Sequence, residues 1–237
     1  MTMPASAAGP SARDIIRDWA ALPRRGVIFD FNGTLSDDEP ILLEIYTELF
    51  AEHLGWQMTA AEYYGTLAGR SDREIVETAV AERAGGDPGL AEYLLRRRRE
   101  MYQRVVAVRS PITEAAAGLV GRLAAERVPV GIVTGAERSD VRCVLDSSPV
   151  GEHIAALVAL EDVTEGKPDP EGYLLGARAL GLDAGQILVF EDSIPGIAAA
   201  AAAGMRCVAV TSTHGADQLS GITTALVPRL EAALLDV

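Results

Sequence analysis

The chain has 237 residues, of which 49% are hydrophobic, and a formal net charge of -13 from 21 basic and 34 acidic residues. This length allows one large domain or a core with a smaller inserted domain. The acidic balance and the lack of a basic stripe argue against nucleic acid as a partner. No apolar stretch has the length of a signal peptide or a membrane span, and two isolated cysteines suit a reducing compartment. We therefore expect a soluble cytoplasmic protein with no membrane partner.

Residues 1–24 are predicted to form a tail, disordered to about residue 10, and a short helix. Beyond them, short apolar runs that end on polar residues are typical of buried parallel strands, and they occur at 27–30, 130–134 and 187–192. Further strands are predicted at 156–160 and 206–210. Helical patterns follow at 113–126, 137–146, 170–180, 194–203 and 228–235. This alternation predicts an α/β core at 25–36 and 109–237, a Rossmann-like doubly wound parallel sheet.

The segment 37–108 interrupts that alternation. It carries helical patterns and no good strand, with the helices predicted at 39–54, 59–67, 71–84 and 88–107. We interpret it as an inserted all-helical cap domain. An insertion after the first strand lies over the carboxyl ends of the strands, where open α/β sheets bind their ligands.

Several predicted strands deliver a polar side chain to that same edge. Asp30 follows the first strand, Thr134 the second, and Glu191 with Asp192 follow a later one. The loop 166–170 adds Lys167, the single lysine among the 21 basic residues. A chain that otherwise uses arginine has kept a compact ammonium at one place, which favours a functional role for it.

This set of groups fits phosphoryl transfer to a carboxylate. Asp30 is the candidate nucleophile, and the carboxylates of Asp30, Glu191 and Asp192 are the hard oxygen ligands that Mg2+ prefers. Lys167 and Thr134 would neutralise and hold the phosphoryl oxygens. Glycines at 33 and 135 would let backbone N–H groups approach the phosphate. The expected substrate is a small phosphorylated metabolite.

The same segments resemble the four motifs of the haloacid dehalogenase superfamily, in the same order over residues 25–212. They read DFNGTLSDDEP at 30–40, VTGA at 133–136, GKPDP at 166–170 and FEDS at 190–193. With its helical block, the chain resembles the branch with a helical cap that includes β-phosphoglucomutase and phosphoglycolate phosphatase. The resemblance implies an Mg2+-dependent phosphatase. It implies catalytic roles for Asp30, Asn32, Thr134 and Lys167, metal ligands in Asp30, Asn32, Glu191 and Asp192, and phosphate contacts from Gly33, Gly135 and Ala136.

Asn32 departs from the pattern of this family. Its phosphatases and mutases carry an aspartate two residues after the nucleophile, where it protonates the leaving group and then activates water. An amide does neither at neutral pH, although its backbone carbonyl can still bind the metal. Loss of a general acid and base typically lowers a rate by about 100- to 10,000-fold.

Three explanations of Asn32 remain open from the sequence. It is natural, with a leaving group that needs no proton or with another acid from the cap or from Asp37. It is an engineered change that traps a complex. Or the Asn32–Gly33 step, the pair most prone to deamidation, returns an aspartate. The functional hypotheses are accordingly a phosphate-monoester hydrolase, slow or altered by Asn32, and a catalytically weakened protein that binds a phosphorylated ligand.

Other branches of the family fit less well. The dehalogenases of the family work without a metal, and the Glu191–Asp192 pair of carboxylates argues against that chemistry. Its phosphonate hydrolases need a lysine in the cap, and residues 37–108 contain none. A phosphomutase would carry a histidine where this chain has Leu42, which makes that activity a lesser alternative. In the cap, Gly69 and Arg70 are expected to face the active site, with a solvated turn as the equal alternative. Of the four arginines at 96–99, Arg98 is the one expected to face the substrate.

Overall fold

The computed structural model describes residues 9–237 of the chain. Within them, six parallel strands form one sheet in the order β3-β2-β1-β4-β5-β6. The strands are β1 Gly26–Phe29, β2 Val130–Val133, β3 Ile154–Val158, β4 Ile187–Glu191, β5 Arg206–Val210 and β6 Leu226–Val227. The α-helices are α1 Ala12–Ala20, α2 Glu39–Leu54, α3 Ala60–Glu62, α4 Asp72–Ala84, α5 Pro88–Val106, α6 Glu114–Ala125, α7 Arg138–Asp146, α8 Glu171–Ala179, α9 Ile194–Ala202 and α10 Ala216–Leu219.

The strand order places β1 between β2 and β4. Every residue of these three strands is buried, as expected for parallel strands that helices cover on both faces. The rings of Phe29 and Phe190 stack with centroids 5.3 Å apart, at the last residue of β1 and next to the last of β4. This apolar layer lies directly beneath the polar residues that follow the strands.

The amino-terminal helix α1 packs where the central strands begin, opposite the edge formed by their carboxyl ends. Ser11 and Asp14 form a reciprocal capping box at its start. Near its end, the indole N–H of Trp19 donates to the carbonyls of Gly26 at 3.1 Å and Gln186 at 3.2 Å. Both acceptors lie where β1 and β4 begin, so α1 braces the amino ends of the two central strands.

Helices α2 to α5 all lie between β1 and β2 in the chain. Helices α2 and α4 both pack against α5, and a π-helical turn at Tyr63–Leu67 follows α3. Capping sets the ends of α4: Ser71 and Glu74 form a capping box at its start, and Gly85 closes it in the left-handed region at φ 67°. Within the described residues 9–237, the segment 39–106 contains helices and no strand.

The predicted fold class is confirmed, with three local differences. The helix predicted at 228–235 is wrong, because residues 228–231 are not helical and only Ala232–Leu235 forms a helical turn, of the 3-10 type. The strand predicted at 156–160 begins and ends two residues earlier, and 59–67 divides into α3 and the π-helical turn. The predicted tail lies mostly outside the described residues. Among those described, no helix combines the length and apolar character needed to cross a lipid bilayer.

Candidate active site

Asp30 lies at the centre of the carboxyl edge of the sheet. Its backbone N–H donates to the Phe190 carbonyl at 2.9 Å, which continues the pairing of β1 with β4 beyond the end of β1. On the other side, the Thr134 N–H donates to the Val158 carbonyl at 3.0 Å and extends the pairing of β2 with β3. Hydrogen bonding of the sheet therefore fixes the backbone of both candidate site residues.

Lys167 brings its ammonium between two of the carboxylates. Its Nζ lies 2.5 Å from Asp30 Oδ1 and 2.5 Å from Glu191 Oε1, and 16% of its side chain is exposed. Burial alone would lower the pKa of Lys167, but the charges of Asp30 and Glu191 outweigh it and raise that pKa above its usual value. The ammonium therefore stays charged through the neutral range.

The three carboxylates predicted to bind metal come together. Asp30, Glu191 and Asp192 are all buried, and one ligand oxygen from each lies within 4.8 Å of the others. Burial and the two neighbouring carboxylates raise the pKa of Asp30, which Lys167 opposes. Burial, with the charge of Glu191, raises the pKa of Asp192 to about 7. Three carboxylates with one ammonium leave an excess of negative charge that a divalent cation would neutralise.

The donors of this cluster suit Mg2+. Among the described residues no donor bonds to Asp30 Oδ2 or to the backbone carbonyl of Asn32, whereas Asp192 Oδ1 accepts from the Thr34 hydroxyl at 2.9 Å. Free carboxylate and carbonyl oxygens are the ligands of a hard cation. Glu191 is more fully engaged, because its Oε2 accepts from the Ser193 N–H at 2.8 Å and its Oε1 from the Tyr173 hydroxyl at 3.2 Å.

The residues predicted to contact phosphate differ in which hydrogen-bond donors they have available. Thr134 Oγ1 accepts from the Ala136 N–H at 3.0 Å, so the Thr134 hydroxyl proton is left to donate while the Ala136 N–H is already used. Gly135 is exposed and has open space around it. Gly33 is required by its surroundings: its φ is 76°, and a Cβ there would lie 2.2 Å from Asp192 Oδ2.

The side chain of Asn32 is paired with a carboxylate from the cap side of the site. Its Nδ2 donates to Asp38 Oδ2 at 2.6 Å, and the Tyr102 hydroxyl donates to the same oxygen at 2.5 Å. Burial raises the pKa of Asp38 to about 6, against the opposing effect of its hydrogen bonds. Asp37, considered from the sequence as another acid, is exposed, and its side chain makes no hydrogen bond within the described residues. Asp38, and not Asp37, is therefore the carboxylate that is hydrogen-bonded to Asn32.

The cap turn at Gly69 lies beside the loop that follows β5. A Cβ on Gly69, whose φ is 80°, would lie 3.5 Å from His214 Cε1, and His214 Nδ1 lies 3.1 Å from the Asp192 carbonyl. This contact brings the turn near the metal-ligand candidates. Arg70, the next residue, is exposed. That Gly69 and Arg70 face the active site and contact substrate stays a prediction.

Arg98 does not lie at an open surface. It is 3% exposed, its Nη2 lies 3.0 Å from Asp72 Oδ2, and its Nη1 bonds Asp140 on α7. The guanidinium also stacks over the Tyr102 ring at 4.7 Å. Two carboxylates already use its charge, so this arrangement gives no support to the expected substrate contact of Arg98. Its observed role is to join the cap helix α5 to the core helix α7.

The comparison with protein families matches this geometry. A model of haloacid dehalogenase-like hydrolases matches residues 25–204, which include all four motifs and the helical segment between the first two. The chain belongs to the haloacid dehalogenase-like hydrolase family. The predicted family is confirmed, and so is the predicted enzyme class, a hydrolase of the phosphatase type.

Individual relatives of this hydrolase cover most of the chain. Validoxylamine A 7'-phosphate phosphatase from Streptomyces hygroscopicus subsp. limoneus is 32% identical, over 81% of this chain and 88% of the relative. Phosphoglycolate phosphatase from Yersinia pseudotuberculosis is 30% identical, over 79% of this chain and 81% of the relative. The crystal structure of CbbY from Rhodobacter sphaeroides in complex with phosphate shares the fold, with a TM-score of 0.77 at 23% identity, over 90% of this chain and all of that one.

Some residues of the hydrolase site were not expected from the sequence. Asp38 lies near the end of the first motif and looks like an ordinary helix N-cap, and Tyr173 lies on α8 behind Glu191. His214 also lies beside this site, with its Nδ1 3.1 Å from the Asp192 backbone carbonyl. The pair Asp37–Asp38 was the one available signal, because two adjacent carboxylates before a helix exceed what capping requires.

Proposed function

We propose that this hydrolase cleaves a small phosphate monoester in an Mg2+-dependent reaction that passes through an aspartyl-phosphate on Asp30. The observation that carries the proposal is the position of Asp30, beside Lys167 and the two carboxylates of 191 and 192 at the carboxyl edge of the sheet. The names of the two curated relatives support the substrate class, since each denotes the phosphatase of a small phosphorylated molecule. A sugar phosphate or an organic-acid phosphate is the substrate we propose.

In the first step a carboxylate oxygen of Asp30 attacks phosphorus and the bond from phosphorus to the ester oxygen breaks. The leaving alkoxide takes its proton from water, because Asn32 holds none to give. Lys167 and the Thr134 hydroxyl hold the phosphoryl oxygens during transfer. In the second step water attacks phosphorus, the bond to Asp30 breaks, and inorganic phosphate leaves with the carboxylate restored.

Mg2+ would be held by Asp30, by Asp192 and by the backbone carbonyl of Asn32, with Glu191 at the edge of the site. When bound, it supplies positive charge that lets a phosphate dianion approach Asp30. The protein's own contribution is to keep the carboxylates together and to place Lys167 against them.

The test is phosphate release from a panel of sugar and organic-acid phosphates with and without Mg2+. We expect release that needs Mg2+ and that Asp30→Asn abolishes, with a phosphorylated species in the intact mass of the acid-quenched enzyme. Arg206→Lys, at the amino end of β5, is the control for handling and folding. Release at the wild-type rate by Asp30→Asn would refute the mechanism.

A second function is favoured by Asn32, whose amide carries no transferable proton. In that case the protein binds a phosphorylated ligand and turns it over negligibly. Titration calorimetry separates the two: binding that depends on Mg2+ with no phosphate released supports the binding function, and turnover supports the hydrolase. The mutase activity has no such support, because Leu42 is a buried apolar residue of α2.

A further inference from the structure

Asp38 lies at the N-cap position of α2 and does not cap the helix. Aspartate is among the residues that most favour this position, where its side chain normally accepts from a backbone N–H of the first turn. No such bond is present at α2. The carboxylate is fully buried and turned away from the helix, and its Oδ1 has no hydrogen-bond partner among the described residues. Capping therefore does not explain this side chain.

The carboxylate is directed instead at the catalytic loop. Its Oδ2 accepts from Asn32 Nδ2 at 2.6 Å, and Tyr102, fully buried on α5, holds the same oxygen at 2.5 Å. Residues 38 and 102 come from different helices of the cap segment. Two cap elements thus meet at one side chain of the loop that carries Asp30.

This contact decides which end of the Asn32 amide is free. An ionised carboxylate only accepts hydrogen bonds, so it binds the amide nitrogen and not the amide oxygen. The oxygen, Oδ1, is then the free end, and no described residue donates to it. A free amide oxygen can accept a hydrogen bond from water or from a substrate hydroxyl, but it cannot remove the proton.

We propose that Asp38 is a positioning residue, which fixes the Asn32 amide with its oxygen as the group presented to the water or hydroxyl of the reaction. This inference rests on the proposed hydrolase function. Asn32 orients that group without exchanging a proton with it. Asp38 acts on the reaction only through Asn32, and Tyr102 holds Asp38 in place.

The proposal changes what Asn32→Asp should do. An aspartate at 32 would set two carboxylates at the distance of the present hydrogen bond, and two such groups cannot both ionise without repulsion. The exchanged pair, Asn32→Asp with Asp38→Asn, restores one donor and one carboxylate. We expect the exchanged pair to exceed the single Asn32→Asp variant in kcat by about tenfold, which is one general acid-base group recovered at the low end of its range.

The direct test uses the composition of the chain. Asn32 is its only asparagine, so protein labelled with 15N-asparagine gives a single side-chain amide pair by NMR. We expect one proton of that pair to be shifted downfield and protected from solvent exchange, and Asp38→Ala to remove both effects. A wild-type pair with free-amide shifts that Asp38→Ala leaves unchanged overturns the proposal.

Kinetics supply the second readout. Asp38→Ala should lower kcat by about 10- to 100-fold, with KM changed by less than about threefold, because the loss is one of orientation in the transition state. Asp37→Asn, which removes the neighbouring exposed carboxylate, should have a much smaller effect. Equal losses in the two variants, or an unchanged kcat in Asp38→Ala, contradict the positioning role.

Failure of the two proposals can be told apart. Activity that survives Asp30→Asn defeats the proposed function. Activity that needs Asp30 but is indifferent to Asp38, or an exchanged pair no faster than Asn32→Asp alone, leaves the proposed function intact and defeats the positioning role.

Discussion

Glu191 leaves no room for a side chain at Gly196: a Cβ built on that glycine would lie 1.7 Å from Glu191 Oε1. Gly196 is the third residue of α9, so the helix that follows the last motif approaches the carboxylate with bare backbone. The glycine lets Glu191 keep its bonds to Lys167 and Ser193 at once.

Gly196→Ala is expected to displace Glu191 and to lower the free energy of unfolding by about 1–3 kcal/mol, as overpacking of a well-packed site does. Mg2+ affinity should fall with it, because the carboxylate cluster loses its arrangement. Urea unfolding and Mg2+ titration calorimetry measure the two effects. Gly118→Ala, in the middle of α6 with open space around it, is the matched control and should stabilise the protein by up to about 1 kcal/mol.

Lys167→Arg is expected to lower kcat by about 100-fold, the cost of a misplaced catalytic group. The wide planar guanidinium cannot take the place of an ammonium that lies 2.5 Å from both Asp30 and Glu191. Steady-state kinetics with a good substrate measure the change. A Lys167→Arg enzyme with wild-type kcat would show that any cation serves there, and the single lysine of the chain would lose its explanation.

The Glu39 carboxyl predicts how stability changes with pH. Burial, reinforced by the charges of Asp38, Asp72 and Asp30 and opposed by the Tyr63 hydroxyl at 2.6 Å, raises the pKa of Glu39 to about 7. The folded state therefore holds this proton more tightly than the unfolded state does. The resulting stability is complete below the unfolded pKa of about 4.5 and is lost as the pH rises through about 7, with an effect of about 1–3 kcal/mol.

Glu39→Gln should remove that part of the pH dependence, because glutamine accepts from Tyr63 and does not titrate. Urea unfolding between pH 5 and pH 8 without metal measures it. Glu44→Gln, exposed on the same helix, is the matched control and should leave the slope as in the wild type. A wild-type slope in Glu39→Gln assigns the pH dependence to other groups.

Arg98 and Arg99 form a natural pair of test and control on α5, since each bridges to an acid next to or within α7. Arg98 is buried with Asp140, whereas Arg99 is paired with Glu137 where both side chains are about one-third exposed. Arg98→Ala should cost about 3–5 kcal/mol of stability because it leaves the buried Asp140 carboxylate without its counter-ion. Arg99→Ala should cost less than about 1 kcal/mol. Equal losses on urea unfolding would contradict the distinction.

The folded state should protect Asn32 from deamidation. That reaction needs the Gly33 backbone nitrogen to attack the Asn32 side chain, yet the Gly33 N–H donates to the Ser36 carbonyl at 2.8 Å, and Asn32 Nδ2 is held by Asp38. Peptide mapping after long incubation should find unmodified Asn32 in folded protein and aspartate or isoaspartate in urea-unfolded protein. Conversion at equal rates in both states would show that the loop opens freely.

The strands and their terminal side chains could be predicted because a parallel sheet has one carboxyl edge. The side chain that ends each parallel strand, such as Asp30 or Glu191, therefore lies at this one edge, whatever the fold of the rest of the chain. The partner of Asn32 could not be predicted in this way. Tyr102 is 64 residues from Asp38, and the two meet only because α5 returns to the core after the cap.

Arg98 shows a second limit. Four consecutive arginines on a helix point in four directions, and the helix pattern alone does not say which direction meets protein and which meets solvent. The packing of α5 on α7 determines which arginine is buried, and these two helices are separated in the chain by α6 and β2. Arg96 on the same helix is exposed, whereas Arg98 is buried against Asp140 of α7 and Asp72 of α4.

The position of α1, held in place by Trp19, makes this helix suitable for attaching the enzyme to a support or a label. Its indole bonds fasten α1 at the end of β1 that lies away from Asp30, and Arg13, Arg17 and Asp18 face outward from the same helix. An affinity tag, a dye or a solid support joined through those exposed positions would sit on the far side of the sheet. Substrate could then reach the carboxyl edge of an immobilised enzyme without crossing its attachment.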